Sequence, residues 1–209
     1  MSFQFPSVSY QREEIKKYLD DLAAKTPTPG GGSAAALSAA IAVSLMSMVI
    51  NYTIGKKEYK AVEEKFIVLL EKIQAYRNEL QNLIDEDVLA YSKLSKSLKE
   101  YKNDSLKIES AFKEAAEVPF KICRITAQCL PLCKELAEYS NKNLITDTAT
   151  AVIMLEGAFF SAKFNVYINM KYIKDLEYIE KVHKILSPLE EEMPKLKEEI
   201  LHKCEEVIK

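Results

Sequence analysis

The sequence predicts an all-α protein, a single helical bundle of five to seven helices that dimerises through its long helices. Three observations lead there. Five glycines and seven prolines in 209 residues leave too few turn signals for an all-β chain. Leu, Ala, Glu, Lys and Ile, the residues of a helical protein, are abundant. Several segments repeat their apolar residues at spacings of three and four, the period of a helix with one buried face. With no long linker, repeat or low-complexity tract, residues 1–209 read as one domain.

Along the chain, a loop over Thr26–Gly32 precedes an uncharged stretch between Lys25 and Lys56, whose heart, Ala34–Ile50, is nearly all apolar. That run is shorter than the ~20 residues of a typical membrane span and is built of Ala and Ser, so it reads as a buried core helix. After a loop at Tyr52–Lys57, the residues Val62, Phe66, Leu69, Ile73, Tyr76, Leu80 and Leu83 form one continuous seam. A turn at Tyr101–Ser105 leads to a second seam, Ala115, Val118, Ile122, Ile125, Cys129, Leu132, Leu136 and Tyr139, where Pro119 predicts a late start or a kink. Beyond a loop at Tyr139–Leu144, the row Thr148, Ala151, Leu155, Ala158, Ala162, Asn165 and Asn169 predicts a further helix. The last helix is expected to begin near Ser187-Pro188, a capping serine followed by a first-turn proline.

Composition narrows the function. Lys+Arg 29 against Asp+Glu 31 gives a net charge of −2, without the basic footprint of a nucleic-acid binder. Met1–Tyr10 lacks a charged start followed by an apolar run, so no secretory signal is expected. Cys123, Cys129, Cys133 and Cys204 have neither zinc-site nor disulfide-framework spacing and read as reduced core thiols of a cytoplasmic protein. His183 and His202 complete no metal constellation, so no metal is expected.

Four features depart from a plain bundle. Gly30-Gly31-Gly32-Ser33, after two prolines, places small residues and unpartnered N–H groups at a helix start, which is either an anion site or a turn capped by Ser33. It lacks the spacing of a nucleotide-binding P-loop. Asp87 falls where the seam through Leu80 and Leu83 should next be apolar, so its carboxylate is paired, protonated or facing a polar pocket. Asn165 and Asn169, one turn apart beyond small residues, suit a flat heterocycle bearing amides or a pair of interhelical bonds. Lys56 and Lys57 close the uncharged run, either as partners of the helix C-terminus or as holders of an anion. Asp147 is read as a helix cap or an acid–base group.

Together, PTPGGGSAAALSAA, GKKEY, LIDEDVLAY, SNKNLITDTATA and AKFNVYINMKYIKD resemble the formimidoyltetrahydrofolate cyclodeaminase / methenyltetrahydrofolate cyclohydrolase family, in the same order, from about Tyr18 to Asp175. The resemblance implies an all-helical homodimer acting on a tetrahydrofolate derivative, without a cofactor, a nucleic acid or a membrane. It implies ring closure of the 5-formimidoyl compound to the 5,10-methenyl cation with loss of ammonia, or hydrolysis of that cation to the 10-formyl compound. Its motif positions here are Gly30, Gly31, Gly32, Ser33, Lys56, Lys57, Asp87, Asn141, Asp147, Asn165 and Asn169. On that basis Asp147 or Asp87 is expected to shuttle the proton, and Asn141, Asn165 and Asn169 to grip the pterin. The Gly30–Ser33 turn, Lys56 and Lys57 would hold the anionic glutamate tail. Ser140 stands where the family usually has Gly, and a turn needing φ > 0 there would be mildly strained. Two other readings remain, a non-catalytic folate-binding or scaffold dimer and a phosphate-binding enzyme using the glycine turn.

Overall fold

The computed structural model describes residues 9–209, so the start of the stretch read for a signal lies outside the described residues. Six α-helices and no strand are present among the described residues: α1 (Ile15–Ala23), α2 (Gly31–Asn51), α3 (Glu63–Glu100), α4 (Ser105–Tyr139), α5 (Ile145–Met170) and α6 (Leu176–Ile208). Helix α2 is packed against α3, α4 and α5, and α6 lies against α4 and α5. The reason is visible in the side chains. Ala36, Ala39, Val43, Met46, Val49 and Ile50 are fully buried along α2. Its many Ala side chains let neighbouring helices approach closely.

Two segments, Gly31–Asn51 and Lys142–Met170, are long and apolar enough to cross a membrane by length and composition. Here they lie side by side, with Gly31 next to Asn165 at one end and Asn141 bonded to Tyr52 at the other. The two helices therefore run antiparallel, and the expected core helix at Ala34–Ile50 is a core helix.

The seam predicted on α3 is its buried face, with Phe66, Ile73 and Leu80 fully enclosed. Pro119 neither delays nor ends α4, which starts at Ser105 under an Asp104 cap and continues through Pro119 and Pro131. The final helix also differs from expectation. It begins at Leu176, where the Asp175 carboxylate accepts the Tyr178 N–H at 3.1 Å, and runs on through Pro188 and Pro194. Buried Val182 and Leu186 hold the turns before Pro188 against the core, so tertiary packing outweighs the Ser-Pro start signal. Lys163 of α5 reinforces that docking with an ion pair to Glu190 of α6 at 3.1 Å, beside Tyr167, which donates its hydroxyl proton to the same carboxylate.

Candidate active site

The N-terminus of α2 opens onto a cleft of about 610 Å³ walled by α3, α4 and α5. Helix α2 begins directly on the glycines, with Gly30 in the capping position and no side-chain cap of its own. Asp87 of α3 fills that need: its Oδ2 accepts the Ser33 N–H at 2.9 Å. The site read as a place for a foreign anion therefore already holds the protein's own carboxylate. This argues against the Gly30–Ser33 turn gripping a glutamate tail. Ser33 is fully buried and its hydroxyl lies 3.1 Å from that of Tyr18, which ties α1 to the same turn.

The glycines answer to space. A Cβ on Gly32 would fall 2.1 Å from Asp87 Oδ1, and one on Gly31 would fall 3.2 Å from Asn165 Nδ2. Only a glycine lets Asp87 reach the helix end. Burial pushes the Asp87 carboxyl up to about 6, against the opposing pull of the Ser33 N–H. A group so tuned exchanges its proton near neutral pH, as a general acid or base must.

Opposite Asp87, Asn165 and Asn169 line the cleft from α5. Each spends its NH₂ on its own helix, Asn165 on Ser161 O at 2.9 Å and Asn169 on Asn165 O at 2.8 Å. Their Oδ1 atoms are left to accept N–H groups from whatever enters. Phe112 and Tyr172 stack at 4.5 Å with planes 16° apart and form an apolar wall. Thr28 adds a hydroxyl that is enclosed, without a protein partner, at the rim. Sequence reasoning missed these three. Thr28 sat between two prolines as a possible signal, whereas Phe112 comes from α4 and Tyr172 from the turn after α5, and they gave none. Asp87 is the only charged side chain among the described residues that line the cleft.

The remaining expected site residues lie elsewhere. Lys56 and Lys57 follow the C-terminus of α2, about 30 Å from Gly31 at ~1.5 Å per residue. Asn141 is buried at that same pole, its Nδ2 donating to Tyr52 O at 3.2 Å and its N–H to Thr53 Oγ1 at 3.0 Å. It is thus a structural clasp within its own chain, at the pole of α2 opposite the Asp87 cleft. Asp147, in the first turn of α5, is roughly 27 Å along that helix from Asn165. Within one chain, Asp87 and Asp147 cannot share one proton. Ser140 is unstrained, with φ −88 and its hydroxyl bonded to Leu136 O, so the turn here does not need a positive φ. Replacing Asn141 with Ala removes two partly buried side-chain hydrogen bonds, to Tyr52 O and from Asn143 N. Thermal denaturation is expected to show a loss of about 1–3 kcal/mol.

Among the described residues no group of three or more His, Cys, Asp or Glu comes together as a metal site. The four cysteines are free and buried.

A helical bundle with one proton-exchanging carboxylate facing carboxamides across an aromatic cleft is built as a small-molecule enzyme working by acid–base chemistry. The formiminotransferase-cyclodeaminase family model matches residues 14–187, and the chain belongs to that family. It is 40% identical over 195 residues to a methenyltetrahydrofolate cyclohydrolase of Methylorubrum extorquens, covering 90% of this chain and 94% of the relative. To the mouse formimidoyltransferase-cyclodeaminase it is 29% identical, over 90% of this chain but 36% of that protein. The crystal structure of a formiminotetrahydrofolate cyclodeaminase from Thermotoga maritima superposes with a TM-score of 0.89 at 31% identity, covering 95% and 99% of the two chains.

Proposed function

We propose that the Asp87 cleft acts on the single carbon held at N5 or between N5 and N10 of a tetrahydrofolate. The observation that carries this reading is a lone carboxylate in a cleft lined by no Lys or Arg. Both the protonated 5-formimidoyl group and the 5,10-methenyl bridge are delocalised cations at the reacting carbon, and an uncompensated carboxylate complements either. The Asn165 and Asn169 oxygens would accept the pterin N–H groups, and the Phe112–Tyr172 wall would flank the rings.

Hydrolysis stands first, because the 40% identical relative that this chain covers almost throughout bears the name of a cyclohydrolase. Water adds to the methenyl carbon while Asp87 takes one of its protons. The tetrahedral adduct then breaks its bond to N5, the carbonyl forms on N10, N5 receives a proton, and one proton leaves to solvent. Ring closure is the second reading, favoured by the close fold match to a named cyclodeaminase. There N10 attacks the formimidoyl carbon, Asp87 relays the N10 proton to the departing nitrogen, and ammonia leaves the methenyl cation. Neither route calls for a cofactor. The deciding experiment follows methenyl absorbance with both substrates. Enzyme-dependent loss of the methenyl compound above its spontaneous rate assigns hydrolysis, and methenyl appearing with ammonia assigns ring closure. No change with either substrate would sink both.

We further infer a homodimer in a reducing, cytoplasmic setting, which suits the buried thiols. Helices α2 and α5 leave apolar side chains uncovered, with Ile41 45%, Ile153 53%, Phe164 66% and Ile168 56% exposed. An antiparallel pairing through these helices would lay the Lys56–Lys57 pole of a second copy beside the glycine end of α2, reuniting the motif positions that one chain holds about 30 Å apart. Phe164→Glu is expected to halve the mass in sedimentation and to lower turnover at least tenfold. A full-mass, fully active variant would refute the pairing.

A further inference from the structure

Hydrolysis brings into the cleft an atom that the folate does not supply, the oxygen of water. The polar side chains already placed around Asp87 can only accept from that water. The ionised Asp87 carboxylate has no proton to donate, and Asn165 and Asn169 spend their NH₂ groups on Ser161 O and Asn165 O. Lys, Arg and His are absent from the cleft lining among the described residues. Three side-chain hydroxyls remain, those of Thr28, Tyr91 and Tyr172. Tyr91 and Tyr172 are 45% and 52% exposed and open to solvent, whereas Thr28 is 3% exposed.

Thr28 sits on a stiff support at the Asp87 end of the cleft. It lies four residues before Gly32, where a Cβ would fall 2.1 Å from Asp87 Oδ1, and so short a stretch spans at most about 14 Å. Pro27 and Pro29 fix the backbone on either side, and the Thr28 carbonyl accepts the Thr26 hydroxyl at 3.0 Å. The two prolines have no N–H, so the turn is short of backbone donors where Thr28 stands. The Thr28 hydroxyl itself has no hydrogen-bond partner among the described residues. A hydroxyl enclosed and unpaired destabilises a folded chain. Its place on the glycine-turn side of the cleft, with the proton-exchanging carboxylate, fits a partner that arrives with the reaction.

We propose that Thr28 is a catalytic residue of the hydrolysis, its hydroxyl donating a hydrogen bond to the oxygen of the attacking water and of the tetrahedral adduct. This rests on the folate reading of the Asp87 cleft, and on its hydrolytic form. Thr28 keeps its proton throughout. The water oxygen forms its bond to the methenyl carbon and gives one proton to Asp87. The bond from that carbon to N5 then breaks, its electron pair goes to N5, and Asp87 returns the proton there. The second proton of the water leaves to solvent as the carbonyl forms on N10. The adduct oxygen is neutral, so the bond is worth less than the ~10²–10³-fold of an oxyanion-hole donor, about tenfold to a hundredfold. Ring closure brings in no oxygen and makes no use of Thr28.

The test measures kcat and KM for loss of 5,10-methenyltetrahydrofolate above its spontaneous rate, and any ring closure of the 5-formimidoyl compound, in wild type, Thr28→Val and Thr28→Ser. Valine keeps the shape and removes the hydroxyl; serine keeps the hydroxyl. Thr28→Val is expected to lower kcat for hydrolysis about tenfold to a hundredfold, with KM within about twofold. Thr28→Ser should stay within about threefold of wild type, and ring closure should be unchanged in both. The Tm of Thr28→Val should be no lower than that of wild type, since the lost hydroxyl has no partner among the described residues. Full hydrolysis by Thr28→Val, a loss that lies in KM or is equal in Thr28→Ser, an equal fall in ring closure, or an unfolded Thr28→Val each overturns the role of Thr28 and leaves the folate reading standing. Ring closure without hydrolysis in the wild type does the same. A wild-type protein that turns over neither compound overturns the folate reading, and the role of Thr28 with it.

Discussion

Replacing Asp87 with Asn is expected to lower turnover by about 10²–10⁴-fold while making the protein more stable. The two effects have one cause. The carboxylate is held against the start of α2 in surroundings that raise its pKa to about 6. A folded-state pKa above the unfolded value means that the native protein holds the proton more tightly. Stability from this residue is then greatest below about pH 4 and falls as the pH rises toward about 6. At neutral pH the wild-type protein therefore carries a charged-group penalty that Asn does not. Asn keeps an acceptor for the Ser33 N–H. A gain of about 1–2 kcal/mol, roughly 2–4 °C per kcal/mol in Tm, is expected at pH 7 and little at pH 4. Folate affinity should fall by less than turnover, since the carboxamides and the aromatic wall remain. With Asp87 as base, wild-type turnover should decline as the pH drops through about 6. An Asn variant that keeps full turnover would remove Asp87 from the mechanism.

The second large effect comes from a methyl group. Gly32→Ala puts a Cβ 2.1 Å from Asp87 Oδ1 and 2.7 Å from its Cγ, so the carboxylate must swing away or the end of α2 must retreat. Either movement breaks the 2.9 Å bond from the Ser33 N–H. A misplacement of ~1 Å at a reacting group can cost about 10²-fold in rate, and overpacking adds about 1–3 kcal/mol of instability. Alanine is otherwise the better helix former, so propensity alone predicts the opposite sign. The neighbouring glycines supply the contrast. Gly31→Ala meets only the end of the Asn165 side chain, at 3.2 Å, and should cost no more than about tenfold. Gly30→Ala meets nothing within 4 Å and has an extended backbone, so its turnover should stay within about twofold. Equal rates in all three variants would show that clearance around Asp87 is not what the glycines provide.

How much of this was legible in the sequence depended on whether the signal was local. The α3 seam through Leu80 and Leu83 places its next inward residue at 87, and periodicity alone singled Asp87 out. The glycine run marked the start of α2 for the same reason. Grouping failed where it depended on how far a helix travels. Lys56 and Lys57 lie near Ser33 in the chain, yet a helix of 21 residues carries them to the opposite pole. Asn141 and Asp147 go with them because α5 runs antiparallel to α2. The Phe112–Tyr172 stack joins residues that share no local pattern. The start of α6 was missed because Asp175 offers a cap no louder than Ser187, and only the burial of Val182 and Leu186 decides between them.

The first described residues matter for anyone who wishes to attach something to this protein. Ser9 Oγ and the Tyr10 N–H both donate to Asp85, at 2.6 and 2.7 Å, two residues before Asp87 on the same helix. Replacing Ser9 or the Tyr10 backbone contact by a bulky tag junction would therefore disturb the turn of α3 that carries Asp87. The far end of α6 is remote from it, since α6 contributes no side chain to the cleft and its last turn, after buried Cys204, is exposed. A label is therefore better carried on the exposed last turn of α6.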